Sequence, residues 1–329
     1  MKYLQFITFL ALLSFCTVTL AQNEKSSSAF TSRRFYKPFV SEISSTLSNL
    51  SIGKNYSTDL VGNSFEKLVL NEVHLGMDMP FLYIKKPNFE WAMSFPVSIH
   101  MEWAPFDKIT SPIINNDYRF GLSFTGFTKL DNPYLKNLSF KITPFAHEST
   151  HLGDEITIYG VQNNADFFRV NVSYEYYELG LTLNDPELLD ENTLSCRIGF
   201  MGLIRPNVGY YTFFENEIGN NVLYPSQRWA EYYLQLNYKK TKGFLTNKQW
   251  HPNLSIEFRN RIKYDYMVDA KEDRVWCVNA YLGFDYVPKK ANAIKTVGHY
   301  LRHYNGINPN GQLRNGISHF ATYSVVVYL

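Results

Sequence analysis

Apolar and polar residues alternate without interruption in the stretch "WAMSFPVSIHMEW", residues 91–103. Its odd-numbered positions are large and apolar, its even-numbered positions are small or polar, and a tryptophan stands at each end. A period of two is that of a β-strand, whose successive side chains point to opposite faces. Twelve steps of roughly 3.3 Å, tilted by about 40°, project onto about 30 Å, the thickness of a bilayer's apolar core. The stretch therefore predicts a membrane-spanning strand with a tryptophan at each interface.

The same alternation recurs from about residue 68 to the end of the chain. Nine further segments show it: "VHLGMDMPFLYI", "YRFGLSF", "LSFKITPFA", "FRVNVSYEY", "LSCRIGF", "AEYYLQLNY", "LSIEFRNRIKYDY", "VWCVNAYLGFDY" and "HFATYSVVVYL". Two more strands are expected at "TVGHYLRHY" and around "GYYTFF". This repetition predicts an all-β protein, a closed antiparallel transmembrane β-barrel of 10 to 12 strands, with 12 preferred.

The polar faces of these segments favour the barrel over a secreted soluble β-protein. They mix Arg, Glu, Asp, Asn, Ser and Gly, which is typical of a charge-paired barrel interior. A soluble sheet would expose mostly Lys and Glu. A soluble protein of this size would also need covering helices or strands that are apolar on both faces, and the sequence shows neither.

The beginning of the chain has the form of a secretory signal. Lys2 precedes the apolar run "FITFLALLSFCTV", and small residues follow at Thr19-Leu20-Ala21. We expect a signal peptide at 1–21, a polar segment at 22–66 that lies in the periplasm or plugs the lumen, and the barrel at 67–329. A transmembrane helix needs a run of about 18 apolar residues, and none follows the leader. An exported, strand-rich protein without such a helix is either soluble or a closed barrel in an outer membrane, and the polar faces favour the barrel, so the bacterial outer membrane is the expected location.

Composition limits the partners of the protein. Aromatic residues make up 16% of the chain, and tyrosine and tryptophan suit a water–lipid boundary. The formal net charge of +2 gives no sign of a nucleic-acid partner. The expected partners are outer-membrane lipids and, during biogenesis, the barrel-assembly machinery.

Cys196 and Cys277 fall on opposite faces of the alternation, so two free thiols are expected.

Candidate chemistry is concentrated in "HESTHLGDE", residues 147–155. His147, Ser149 and His151 share one face of a strand, with neighbours roughly 6.6 Å apart. An imidazole beside a hydroxyl is the first requirement of an activated nucleophile, and Asn171 or Glu175 on the next strand would orient the imidazole. No metal site is expected, because His147 and His151 are about 13 Å apart on a straight strand.

The face on which this cluster lies decides its role. Continuing the alternation from Phe140 and Ile142 places the histidines and Ser149 with Lys141 in the lumen. The preferred interpretation is then a lumenal polar network of His147, Ser149, His151, Asp154, Glu155, Arg169, Asn171 and Glu175. Pro144 lacks an N–H, and a bulge there would shift the register and turn the cluster toward lipid. The alternatives are therefore an acyl hydrolase and a small-solute or ligand-binding barrel.

The His-x-Ser motif at 147–149 resembles that of outer-membrane phospholipase A and of the lipid A deacylase, where His and Ser join an Asn or Glu. This resemblance implies Ser149 as nucleophile, His147 as base and Asn171 or Glu175 as the orienting group. No cofactor is expected, and calcium is conceivable only with phospholipase-like activity. With "RVNVSYE" and "YNGINPNGQLRN", the longer cluster is similar to an uncharacterised family of bacterial outer-membrane proteins. That resemblance covers most of residues 70–329 and implies a barrel.

Overall fold

The computed structural model describes residues 28–29, 36, 38–43, 45–55, 69–87, 89–103, 113–132, 134–152, 170–185, 193–204, 209–212, 221–223, 230–240, 249–263, 273–288, 296–309 and 317–328. The predicted signal peptide lies outside these residues. Where the chain is described, no helix is long and apolar enough to cross a membrane.

Within these described residues, fifteen strands form one sheet. They are β1 (Ser28–Ala29), β2 (Ser48–Asn55), β3 (Val69–Lys85), β4 (Phe89–Trp103), β5 (Ile113–Lys129), β6 (Asn137–Leu152), β7 (Val170–Leu183), β8 (Thr193–Leu203), β9 (Gly209–Thr212), β10 (Asn221–Leu223), β11 (Ala230–Lys239), β12 (Trp250–Lys263), β13 (Asp273–Tyr286), β14 (Thr296–Ile307) and β15 (Ile317–Tyr328).

Twelve of these strands close into a barrel, β2 to β8 and β11 to β15. Each strand pairs antiparallel with the next, β8 pairs with β11, and β15 pairs with β2 to complete the ring. β1 pairs with β3 near its C-terminal end, at Leu82 and Tyr83. β9 pairs with the start of β7, and β10 pairs with β9. The predicted closed antiparallel barrel of twelve strands is confirmed. The first strand of the barrel, β2, begins at Ser48, whereas the sequence analysis predicted that the barrel starts at residue 67. The sequence analysis did not identify β2, because its apolar face consists only of Leu50 and Ile52 and shows no long alternation.

The two faces of the wall differ in polarity as the alternation predicts. In β4, Phe95 and Val97 are exposed on the outer face, whereas Ser94 and Ser98 are buried in the lumen. Pro96 is accommodated without a change of register against β5, although Phe95 and Pro96 themselves have no paired residue there. Cys196 lies on the outer face of β8 and Cys277 is buried, so the prediction of two free thiols on opposite faces is confirmed.

The lumen is held together by buried ion pairs. Arg259 contacts the carboxylates of Glu257 at 2.5 Å and Glu231 at 3.2 Å, and Arg261 contacts Glu231 at 3.1 Å. Arg302 of β14 reaches across to Glu72 of β3. A charge is costly to bury alone, and each of these buried arginines has at least one carboxylate beside it. The charge-paired interior predicted from the polar faces is present.

Described residues between 36 and 47 lie inside this lumen. Glu42 accepts a hydrogen bond from Arg197 at 2.9 Å and pairs with Lys141 at 3.5 Å. The Arg197 guanidinium stands over the rings of Tyr36, at 3.8 Å, and Phe39, at 4.0 Å. Three further contacts join the segment to β12 and β13, from Ser41 to Ser255, from Ile43 to Glu257 and from Asn279 to Ser41. The segment therefore bridges opposite walls of the barrel.

Candidate functional site

A bulge in β6 controls the site. Against β7, the register shifts between Thr143 and Ala146, and against β5 it shifts between Leu122 and Phe124. β6 thus carries one residue more than its neighbours at Pro144, where the missing N–H leaves no ladder bond unmade. Even-numbered side chains of β6 point outward before the bulge, and odd-numbered ones point outward after it.

The bulge turns His147 and Ser149 to the outer face. Their neighbours Glu148 and Thr150 are buried, and Glu148 receives a 2.7 Å hydrogen bond from Arg119 in the lumen. The His147 ring lies 5.1 Å from that of Phe120, a residue that is half exposed on the outer face of β5. The prediction that His147 and Ser149 lie in the lumen with Lys141 is wrong, because it continued the alternation through Pro144.

Glu175 lies directly opposite His147 on β7. The two are paired Cα partners, and His147 Nδ1 is 3.9 Å from Glu175 Oε1. Ser149 is likewise paired with Ser173 on β7 and with Tyr118 on β5. The sequence assigned the polar residues of β7 to the lumen, and the structure reverses this: Glu175 and Ser173 point outward.

The lumen instead holds Tyr174 and Tyr176, both of which are buried. Tyrosine has an apolar ring and a polar hydroxyl. Alternation alone therefore could not decide whether the tyrosines or the small polar residues of β7 face lipid.

Ser149, His147 and Glu175, which we call the trio, have apolar neighbours. Phe120 contacts both His147 and Phe145, with ring centroids 5.1 and 6.4 Å apart, and Tyr118 is exposed beside Ser149. Polar and ionisable side chains on a lipid-facing surface are costly, and where they occur they usually mark function. The arrangement provides a hydroxyl, an imidazole and a carboxylate in sequence on one exposed surface.

His147 lies between a hydroxyl on its own strand and a carboxylate on the neighbouring strand. Ser149 and His147 are two residues apart on one face, roughly 6.6 Å between Cα atoms, which allows their side chains to meet. The 3.9 Å separation of His147 and Glu175 exceeds a hydrogen bond, and catalytic hydrogen bonds are often long until substrate binds. In the described part of the chain, no group of three or more His, Cys, Asp or Glu side chains is placed to hold a metal ion.

The remaining predicted residues do not join the trio. Asn171 lies in β7 four residues before Glu175, roughly 13 Å along the strand, and its backbone pairs with Tyr211 of β9. His151 lies near the end of β6, opposite Asn116. Asp154, Glu155 and Arg169 lie outside the described residues. The sequence analysis missed Phe120, Tyr118 and Ser173, which the register at Pro144 brings beside the trio.

A closed barrel with an apolar outer face and a charge-paired lumen defines an integral β-barrel protein of the bacterial outer membrane, which confirms the predicted location. Membrane lipids therefore surround its outer face.

No family model and no curated protein matches the chain, so the resemblance to an uncharacterised family stays a prediction. Solved structures with a similar fold include the Escherichia coli outer-membrane phospholipase A, at 13% identity and a TM-score of 0.46, over 85% of this chain and 92% of that one. The dimeric Salmonella typhi phospholipase with bound calcium has 13% identity and a TM-score of 0.43, over 93% and 94%. The translocator domain of the Neisseria meningitidis autotransporter NalP has 10% identity and a TM-score of 0.41, over 86% and 87%. At these identities the likeness is one of fold.

Proposed function

We propose that the protein is an acyl hydrolase that acts on lipids of the outer membrane. Ser149 is the nucleophile, His147 the general base, and Glu175 the carboxylate that orients the imidazole. One observation carries the proposal: beyond the bulge at Pro144, Ser149 and His147 face outward, and Glu175 lies opposite His147 on β7.

The chemistry follows from these three groups. His147 takes the proton of the Ser149 hydroxyl as its oxygen attacks the ester carbonyl of a lipid, which gives an acyl-serine and releases the alcohol with that proton. His147 then takes a proton from water, whose oxygen attacks the acyl-serine, and returns the proton to Ser149 as the fatty acid leaves. The Glu175 carboxylate stabilises the imidazolium in both halves of the reaction.

The lipid-facing position supports a membrane lipid as substrate. The acyl chain would lie against Phe120 and Phe145, whose rings extend the apolar surface next to His147. The trio also lies near the end of the barrel where residues 153–169 join β6 to β7, opposite the end where only residues 86–88 join β3 to β4. Long connections of such barrels are usually extracellular and short turns periplasmic. The substrate would then be a lipid of the outer leaflet.

The two alternatives predicted from the sequence are less well supported. The lumen does hold a polar network, but it is formed by residues other than His147 and Ser149, among them Arg197, Glu257 and Arg259. A role as a solute path is opposed by the segment around Glu42, which bridges the lumen. We also infer that the barrel-assembly machinery inserts the protein, as it does for the class.

Ser149→Ala tests the proposal, with Ser173→Ala as its matched control. Both serines lie on the outer face, paired with each other across β6 and β7. Fatty-acid release from phospholipid and from lipopolysaccharide would be measured with purified protein in mixed micelles, with calcium and with chelator. We expect wild type and Ser173→Ala to be active and Ser149→Ala to be inactive, at equal melting temperatures. An inactive wild type under all conditions, or an active Ser149→Ala, would refute the proposal.

A further inference from the structure

The proposed reaction needs a group that stabilises the negative charge of its tetrahedral intermediate. Backbone N–H groups or amide side chains usually do this. Ser149 is paired on both sides, with Tyr118 of β5 and Ser173 of β7, so the backbone N–H groups around it are engaged in the ladder. The bulge, at Pro144 and Phe145, ends roughly 13 Å before Ser149 along β6. The donor must therefore be a side chain on the outer face.

Asn116 of β5 places an amide next to Ser149. It lies on the outer face two residues before Tyr118, whose partner on β6 is Ser149, and its own partner there is His151. Asn116 and Ser149 are therefore diagonal neighbours on one face of the sheet. Such neighbours are roughly 7–8 Å apart, a distance that the two side chains and a bound ester carbonyl can span together.

The amide of Asn116 is unusual for a lipid-facing wall. Its Oδ1 is buried and has no hydrogen-bond partner, while the residue as a whole is part-exposed. The oxygen is thus turned against the wall, which leaves Nδ2 as the part of the amide that is open to the surface. A buried polar atom without a partner is costly. A polar side chain kept on a lipid-facing surface at such a cost indicates a role in function.

We propose that Asn116 is a further catalytic residue, whose Nδ2 donates a hydrogen bond to the oxyanion that forms at Ser149. This inference rests on the proposed acyl hydrolase function. As the Ser149 oxygen bonds to the ester carbon, the hydroxyl proton passes to His147 and the π electrons of the carbonyl move onto the carbonyl oxygen. Asn116 stabilises the charge on that oxygen. When the carbonyl forms again, the bond to the alcohol breaks, and the alcohol takes the proton from His147.

The same arrangement orients the substrate. Along the outer face, Ser149 and its partner Tyr118 lie between Phe120 on one side and Asn116 on the other. With the acyl chain against Phe120, the carbonyl oxygen lies on the side of Asn116. The apolar chain and the polar carbonyl then each face a matching part of the wall.

Asn116→Leu tests the inference, with Asn305→Leu as its matched control. Asn305 is exposed on the outer face of β14, across the ring from β6. Both kcat and KM would be measured in mixed micelles, with phosphatidylglycerol and with lipopolysaccharide as substrates. We expect Asn116→Leu to lower kcat roughly 100-fold. KM should stay unchanged, because the hydrogen bond stabilises the transition state and not the bound lipid. Asn305→Leu should behave as wild type.

Thermal melting separates this role from a structural one. Because Asn116 Oδ1 has no partner to lose, Asn116→Leu should melt at the wild-type temperature or above it. A lower melting temperature would show that the side chain supports the fold, and it would overturn the proposal. So would a wild-type kcat in Asn116→Leu beside an inactive Ser149→Ala, a result that leaves the hydrolase itself standing. An inactive wild type would overturn both.

Discussion

A single residue, Pro144, sets the chemistry of the outer wall. The alternation correctly assigns the faces of β4, whose register does not shift at Pro96, and fails in β6 beyond Pro144. The sequence shows that Pro144 cannot donate a ladder bond, but not on which side of it the extra residue lies. Pro96 illustrates the limit, since it keeps its register under the same chemical constraint. The residue types of the candidate site could therefore be predicted, whereas their orientation depends on contacts with β5 and β7.

The faces of β4 give a prediction at the same scale. Val97→Asp places a carboxylate on the lipid face, where it should destabilise insertion by roughly 3 kcal/mol. Ser98→Asp, one residue further, points into the lumen opposite Arg119, its paired partner on β5, and should be tolerated. The shift in electrophoretic mobility between heated and unheated samples reports folded barrel in the membrane fraction. Equal yields of folded barrel from the two variants would contradict the assigned faces.

At the scale of elements, regular alternation predicted the barrel strands well and the irregular parts poorly. Strands with long apolar faces, such as β3, β4 and β13, could be found directly. β2 could not, since its outer face is short and its place is fixed by pairing with β15 and β3. The lumenal position of the segment around Glu42 was left open by the sequence. Its polar residues have partners on β6, β8, β12 and β13. These strands surround a common lumen only in the closed barrel, so the partners could not be identified from local sequence.

That segment predicts an effect on conductance. Glu42→Ala removes the carboxylate shared by Arg197 and Lys141. Lys141 keeps its ion pair with Glu178 at 2.8 Å, but the segment loses its ionic contacts with β6 and β8 and should be held less firmly in the lumen. In planar bilayers we expect more frequent and larger openings than for wild type, with a preference for anions. Glu175→Ala, a matched change on the outer face, should conduct as wild type does. Wild-type conductance in Glu42→Ala would show that the segment does not depend on this ion pair.

At the scale of the whole molecule, the polar chemistry is divided between two environments. The lumen pairs its charges internally and is bridged by an N-terminal segment, which gives the wall a rigid interior. Among the described residues, the outer wall carries polar groups on β6 and β7 around Ser149 and, across the ring, on β14 and β15 at His299, His303 and His319. The group around Ser149 lies where lipid would be its neighbour, which is why we relate it to a lipid and not to a solute in the lumen.

Covalent labelling tests the central claim, a nucleophilic serine on the lipid face, most directly. A long-chain alkyl sulfonyl fluoride partitions into the micelle around the barrel and reacts with an activated serine hydroxyl, which would be located by peptide mass spectrometry. We predict one adduct at Ser149, its loss in His147→Gln because the base is gone, and its retention in Ser173→Ala. No adduct at Ser149 in folded wild-type protein, or equal labelling of His147→Gln, would contradict the claim.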